Sequence, residues 1–238
     1  MKTVITCGCS FTDTAWRKTW PHWLAKYFPD AEHVSAGLSA AGNGYISRTA
    51  IYHVTQALKR FAPEQILVGV MWSGRDRHEV YLGQPPEFAK NDGWRQNPTK
   101  FVTDNQADNN WIMLNWYWDN DFAKQYFSRY HDNTGSQIYA IEHVLRTQWF
   151  LKLHGIPYFM STYTNEVFDT GLTSHVDVEH LYQQIDFSKF LPVTGEHEWA
   201  RDSSGLPFNG DDYHPTEAQH QLFVDKVVVP FLQDKKYL

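Results

Sequence analysis

The sequence predicts an α/β protein in which helices cover both faces of a parallel sheet. Three observations carry that expectation. Short strand-like segments alternate with helical patterns along most of the chain. The segment EQILVGVMW (64–72) is apolar without alternation, as a strand buried on both faces must be. And 238 residues, 42% of them hydrophobic, suffice for one sizeable core in a single domain over 1–238.

The elements follow in order. Residues 2–8, KTVITCG, form a β-branched strand ending at glycine. A helix lies in WRKTWPHWLAKYF (16–28), where Trp16, Trp20, Trp23, Leu24 and Phe28 recur at helical spacing and Pro21 marks the start of the regular part. A short strand at EHVSA (32–36), a glycine-rich turn and a helix from about Tyr45 to Arg60 precede the 64–72 strand. The clearest helix is GSQIYAIEHVLRTQWFLKLHGI (135–156), closed by Gly155 and followed by the strand PYFMSTY (157–163). A last helix runs from about Pro215 through Ala218, Leu222, Phe223 and Val227. The stretch from about 83 to 132 breaks the rhythm. Rich in aromatic residues, it is expected to be an insertion, part loop and part helix, over one side of the sheet.

Composition removes several classes of function. The net charge is −6 with no basic stripe, so binding to nucleic-acid phosphates is not expected. The apolar runs fall well short of the roughly 20 residues of a membrane span. MKTVITCGCS is too short in its apolar part for a signal peptide, so a cytoplasmic location is expected. Cys7 and Cys9 are too close for a good disulfide. They read as two small half-buried thiols, with soft-metal binding as the alternative. The twelve histidines are scattered without the i, i+4 spacing of a zinc helix, so neither metal nor cofactor is expected.

Four pieces carry chemistry: GCSFT (8–12), SAGLSAAGNG (35–44), MWSGRDR (71–77) and DDYHP (211–215). In open parallel sheets, reactive groups gather beyond the carboxyl ends of the strands, and Ser10 stands at such an end. A nucleophilic serine needs a base in hydrogen-bond reach, an acid to orient that base, and donors for the developing oxyanion. Asp211 and His214, three apart on a tight turn, can supply acid and base. Gly42, without a side chain, can bring a bare N–H close to a substrate oxygen.

In this order the pieces resemble the SGNH hydrolase superfamily, the GDSL esterases and lipases. GCSFT is similar to the family's first block, with Cys9 where the family has Asp, and DDYHP to its last block, Asp-x-x-His-Pro. The resemblance spans nearly the whole chain apart from the insertion. It implies a flavodoxin-like three-layer sandwich with about five parallel strands, Ser10 as nucleophile, His214 as base and Asp211 as orienting acid, with Asp212 as the alternative. It also implies an oxyanion hole from the N–H groups of Ser10 and Gly42, with Gly37 second choice. The third block departs, since its oxyanion Asn is missing. Ser73 lies nearest that position and Asn43 is the other candidate, which marks a variant subgroup.

The expected activity is serine esterase, removing a short acyl group, acetyl above all, from a carbohydrate or other small ester. Trp72, Arg75, Arg77 and Trp116 are the expected substrate contacts. The arginines suit a carboxylate. Trp116, with Trp111, Tyr117 and Trp118, suits a sugar face beside Asn110, Asn115 and Asn120. Two alternatives stay open: a glycan-binding protein without catalysis, and an acyltransferase using the same triad. The oligomeric state is not legible.

Overall fold

The computed structural model describes residues 1–81, 96–97, 111–115, 121–168, 170–208 and 213–238. Its centre is a five-stranded parallel sheet: β1 (Thr3–Gly8), β2 (Glu32–Gly37), β3 (Ile66–Trp72), β7 (Tyr158–Thr162) and β8 (Phe190–Gly195), in the order β2-β1-β3-β7-β8. This is the flavodoxin-like order, and the chain reverses its direction of progress across the sheet between β1 and β3. Every residue of β1, β3 and β7 is buried, which is why these segments read as unbroken apolar or small runs.

Helices cover both faces. On one lie α2 (Asn43–Ala57) and α4 (Asn133–Leu153), packed on each other, with α2 against β1 and β3. On the other lie α1 (Trp20–Leu24), α8 (Glu217–Phe223), a π-helical segment (Val224–Val228) and α9 (Val229–Asp234). Helix α4 starts where the Asp132 carboxylate accepts the Gly135 N–H at 2.9 Å. It stops before Gly155, whose φ of +64° is left-handed. The remaining helices are α3 (Asp121–Arg129), α5 (Thr170–Thr173), α6 (Val176–Tyr182) and α7 (Glu196–Asp202). Among the described residues no helix is long and apolar enough to cross a membrane.

Strands outside the central sheet begin at His78, ahead of the stretch from about 83 to 132. Strand β4 (His78–Tyr81) pairs antiparallel with β6 (Trp111–Leu114), which also pairs with β5 (Gln96–Asn97), giving a second small sheet. The segments between these strands lie outside the described residues. Cys7 and Cys9 are both free and fully buried, not half-buried, because Cys7 lies in the interior strand β1 and Cys9 in the turn beneath the site. Burial pushes the Cys7 thiol up to about 12, so it behaves as an inert apolar group.

Candidate active site

The turn after β1 is set by backbone geometry. The N–H groups of Thr12 and Asp13 both donate to the Cys9 carbonyl, at 2.9 and 3.0 Å, which lifts Ser10 above the sheet end. Gly8 is required there, since a Cβ on it would lie 2.1 Å from Thr12 Oγ1. That hydroxyl in turn accepts the buried Trp20 indole N–H at 3.1 Å. Ser10 thus sits at the carboxyl end of β1, beside the point where the strand order reverses.

His214 reaches Ser10 from the far end of the chain. Its Nε2 lies 2.7 Å from Ser10 Oγ, across 204 residues of sequence. The segment that carries it is held on both sides. His197, buried on α7, contacts the Tyr213 carbonyl through Nδ1 at 3.0 Å and stacks on the Tyr213 ring, centroids 4.1 Å apart. Arg17 Nη1 donates to the Pro215 carbonyl at 3.1 Å. A capping box then starts α8: Thr216 Oγ1 accepts the Gln219 N–H, and Gln219 Oε1 accepts the Thr216 N–H. Phe11 and Trp16 flank the imidazole, each with ring centroid 5.0 Å away, and Trp16 meets it edge-on.

A cleft of about 740 Å³ opens over this pair, lined by Ser10, Trp16, Ala40, Arg77, Tyr163 and His214 among others. Ala40 has φ +66°, a left-handed conformation disfavoured for a residue with a Cβ. Asp13 enforces it by accepting both the N–H and the hydroxyl of Ser39, at 3.0 and 2.9 Å. Sequence reasoning missed Ala40, because left-handed backbone is announced by glycine and alanine hides it.

Several expected site residues stand elsewhere. The N–H of Gly42 points away from the cleft and donates to Glu79 Oε1 at 2.8 Å, while the Tyr45 N–H donates to Oε2 at 3.0 Å. Glu79, from β4, therefore closes the positive end of α2. Gly42 and Gly44 are glycines because a Cβ would come within 2.6 and 2.4 Å of that carboxylate. Gly37, the second choice, lets β2 approach the backbone of Thr12 and Asp13. The Asn43 side chain is buried and pairs in both directions with the Ser73 backbone, at 3.0 and 2.8 Å, so it does not swing into the site. Ser73 is fully buried and its Oγ accepts from Arg77 Nη1 at 2.9 Å. Trp72 is core: it is fully buried, with its indole N–H 3.4 Å from Met160 Sδ.

Of the two arginines, Arg77 lines the serine cleft, with its guanidinium 4.8 Å from the Tyr163 ring centroid. Arg75 lines neighbouring cavities and not the cleft. Asn115 is fully buried. Asp211, Asp212, Trp116, Tyr117, Trp118, Asn110 and Asn120 lie outside the described residues. Trp16 and Tyr213 are exposed aromatic residues lining the cleft, and Trp16 carries Arg17 over its ring at 3.5 Å.

A family model matches residues 11–238, beginning one residue after Ser10, and its description is "Family of unknown function (DUF6071)". No curated protein matches the sequence. Among solved structures, the chain is similar to the crystal structure of a member of the lipolytic protein G-D-S-L family from Veillonella parvula DSM 2008. The identity is 8%, the TM-score 0.47, and 94% of each chain is covered.

Proposed function

We propose a serine ester hydrolase for this chain, which belongs to a family of unknown function (DUF6071) and whose activity has to be read from its own residues. The observation that carries the reading is the 2.7 Å contact between Ser10 Oγ and His214 Nε2 at the floor of an open cleft. An alcohol in that contact can pass its proton to the imidazole as it attacks.

In this reading Ser10 Oγ attacks the ester carbonyl carbon and His214 Nε2 takes the hydroxyl proton. The negative charge on the carbonyl oxygen is met by the N–H groups of Ser10 and Ala40. Arg77, held by Ser73 Oγ, stands in for the missing amide donor. His214 then protonates the leaving alcohol. Water, deprotonated by the same imidazole, releases the acyl group and restores Ser10. Asp211, three residues before His214, is assigned the orienting acid on the sequence. The substrate we propose is a short acyl ester of a carbohydrate or similar small molecule. The exposed Trp16 ring at the cleft edge supports a sugar face.

The test is hydrolysis of p-nitrophenyl acetate by the wild type and by Ser10→Ala and His214→Ala. Both variants should lose at least 10³-fold in kcat. Equal turnover by Ser10→Ala would reject the proposal.

A further inference from the structure

We propose that Glu196 and His220, a buried acid–imidazole pair behind the site, are positioning residues that hold His214 and Ser10 in register. Their effect on catalysis rests on the esterase reading. Glu196 is the first residue of α7 and His220 lies in α8. His220 Nδ1 is 2.6 Å from Glu196 Oε1, and neither side chain reaches solvent. Among the described residues nothing hydrogen-bonds Glu196 Oε2 or His220 Nε2. The two side chains therefore depend on each other, and loss of either leaves a buried polar group unpaired. Burial raises the Glu196 carboxyl, and His220 beside it pulls it back down. Whichever partner holds the proton, one donates and the other accepts, so the contact survives in both forms.

His214 is strung between the two helices that this pair joins. On α7, His197 follows Glu196 directly, contacts the Tyr213 carbonyl and stacks on the Tyr213 ring, which fixes the residue before His214. Beyond His214, Thr216 caps α8. The spacing of α7 and α8 therefore sets where the imidazole stands. The serine side leans on the same pair. Phe11, next to Ser10, meets the His220 ring edge-on at 6.3 Å and the His214 ring at 5.0 Å. Other contacts close the seam between the helices: Gln219 Nε2 donates to the Ala200 carbonyl at 2.8 Å, and the Trp199 and Phe223 rings lie 5.3 Å apart. A hydrogen bond adds what such packing lacks, a fixed distance and a fixed direction. Geometry of that kind matters here, because a displacement of about 1 Å at reacting groups can cost roughly 10²-fold in rate.

The experiment compares the wild type with Glu196→Gln, Glu196→Ala and the apolar double variant Glu196→Val with His220→Leu, by p-nitrophenyl acetate kinetics and thermal unfolding. Glu196→Gln keeps an acceptor for a His220 Nδ1–H and should hold kcat within about threefold. Glu196→Ala should lower kcat about tenfold or more, with KM moved less than about threefold. The double variant separates positioning from folding, because a buried polar pair can be replaced by apolar residues without loss of stability. It should melt within about 5 °C of the wild type and still lose about tenfold or more in kcat. A folded double variant with wild-type kcat would overturn the positioning role, as would one that cannot fold, since the pair would then serve the fold itself. Loss confined to KM would overturn it too. A wild type that turns over no ester would sink the esterase reading, and the positioning role with it. An active wild type whose kcat is matched by the double variant would sink the positioning role alone.

Discussion

His197 lies face to face with Tyr213, ring centroids 4.1 Å apart and 11° from parallel, and contacts its carbonyl through Nδ1 at 3.0 Å. This pair fixes the residue immediately before His214, so it sets where the imidazole stands relative to Ser10.

His197→Ala should therefore lower kcat about tenfold, with KM moved less than threefold, because misplacement acts on the reacting geometry. His197→Asn keeps a side-chain N–H at the position of Nδ1 and should recover most of the loss. Equal kcat in His197→Ala and wild type would show that α7 does not position His214.

Glu79 and Gly42 make the second prediction, on stability. Glu79→Ala leaves the Gly42 and Tyr45 N–H groups without their carboxylate. The expected cost is about 2–4 kcal/mol, read as a fall in Tm of roughly 5–12 °C. Gly42→Ala should be similarly harmful, since its Cβ would sit 2.4 Å from the Arg77 carbonyl oxygen. Thermal unfolding of the two variants checks both.

How much of this was legible depends on what each residue type announces. The strands β1, β3 and β7 were readable because burial on both faces leaves an unbroken apolar or β-branched run. Strand β8, FLPVTG, was not: it carries Pro192 and lies at the sheet edge, where a missing N–H is tolerated. Ser10 and His214 were legible because their neighbours form two spaced blocks. Gly42 was misread, because a glycine that makes room for a carboxylate looks the same as one that approaches a substrate. Trp72 was expected to touch substrate, yet it is the last residue of β3, a strand buried throughout.

Ala40 carries a prediction about the cleft. Ala40→Gly relieves the left-handed strain and should keep kcat within threefold. Ala40→Val places a β-branched side chain at φ +66° and should lower kcat at least tenfold while destabilising the fold. Steady-state kinetics with thermal unfolding distinguish the two effects.

Arg77→Gln should reduce kcat about 10² to 10³-fold, the usual effect of removing one oxyanion donor. KM for a neutral acetyl ester should change far less. A variant that loses only KM would assign Arg77 to substrate binding alone.

Stability should fall on mild acidification. Well above pH 6.5 His78 and His143 are neutral in both folded and unfolded chains, so they contribute no pH dependence there. Below it the unfolded chain takes up protons that the folded chain refuses until about 4 for His78 and about 3 for His143. Each histidine contributes a slope of at most about 1.4 kcal/mol per pH unit. Urea unfolding between pH 7.5 and 4.5 should show the decline, and replacing both histidines by Asn should flatten it.

The most direct test of the Ser10–His214 pair is labelling with a fluorophosphonate, which reacts only with an activated serine. Intact-mass and peptide analysis should place one adduct on Ser10 of the folded wild type, none on Ser10→Ala, and a strongly slowed reaction in His214→Ala. A folded wild type that stays unlabelled, or a Ser10→Ala protein labelled to the same extent, would contradict the account.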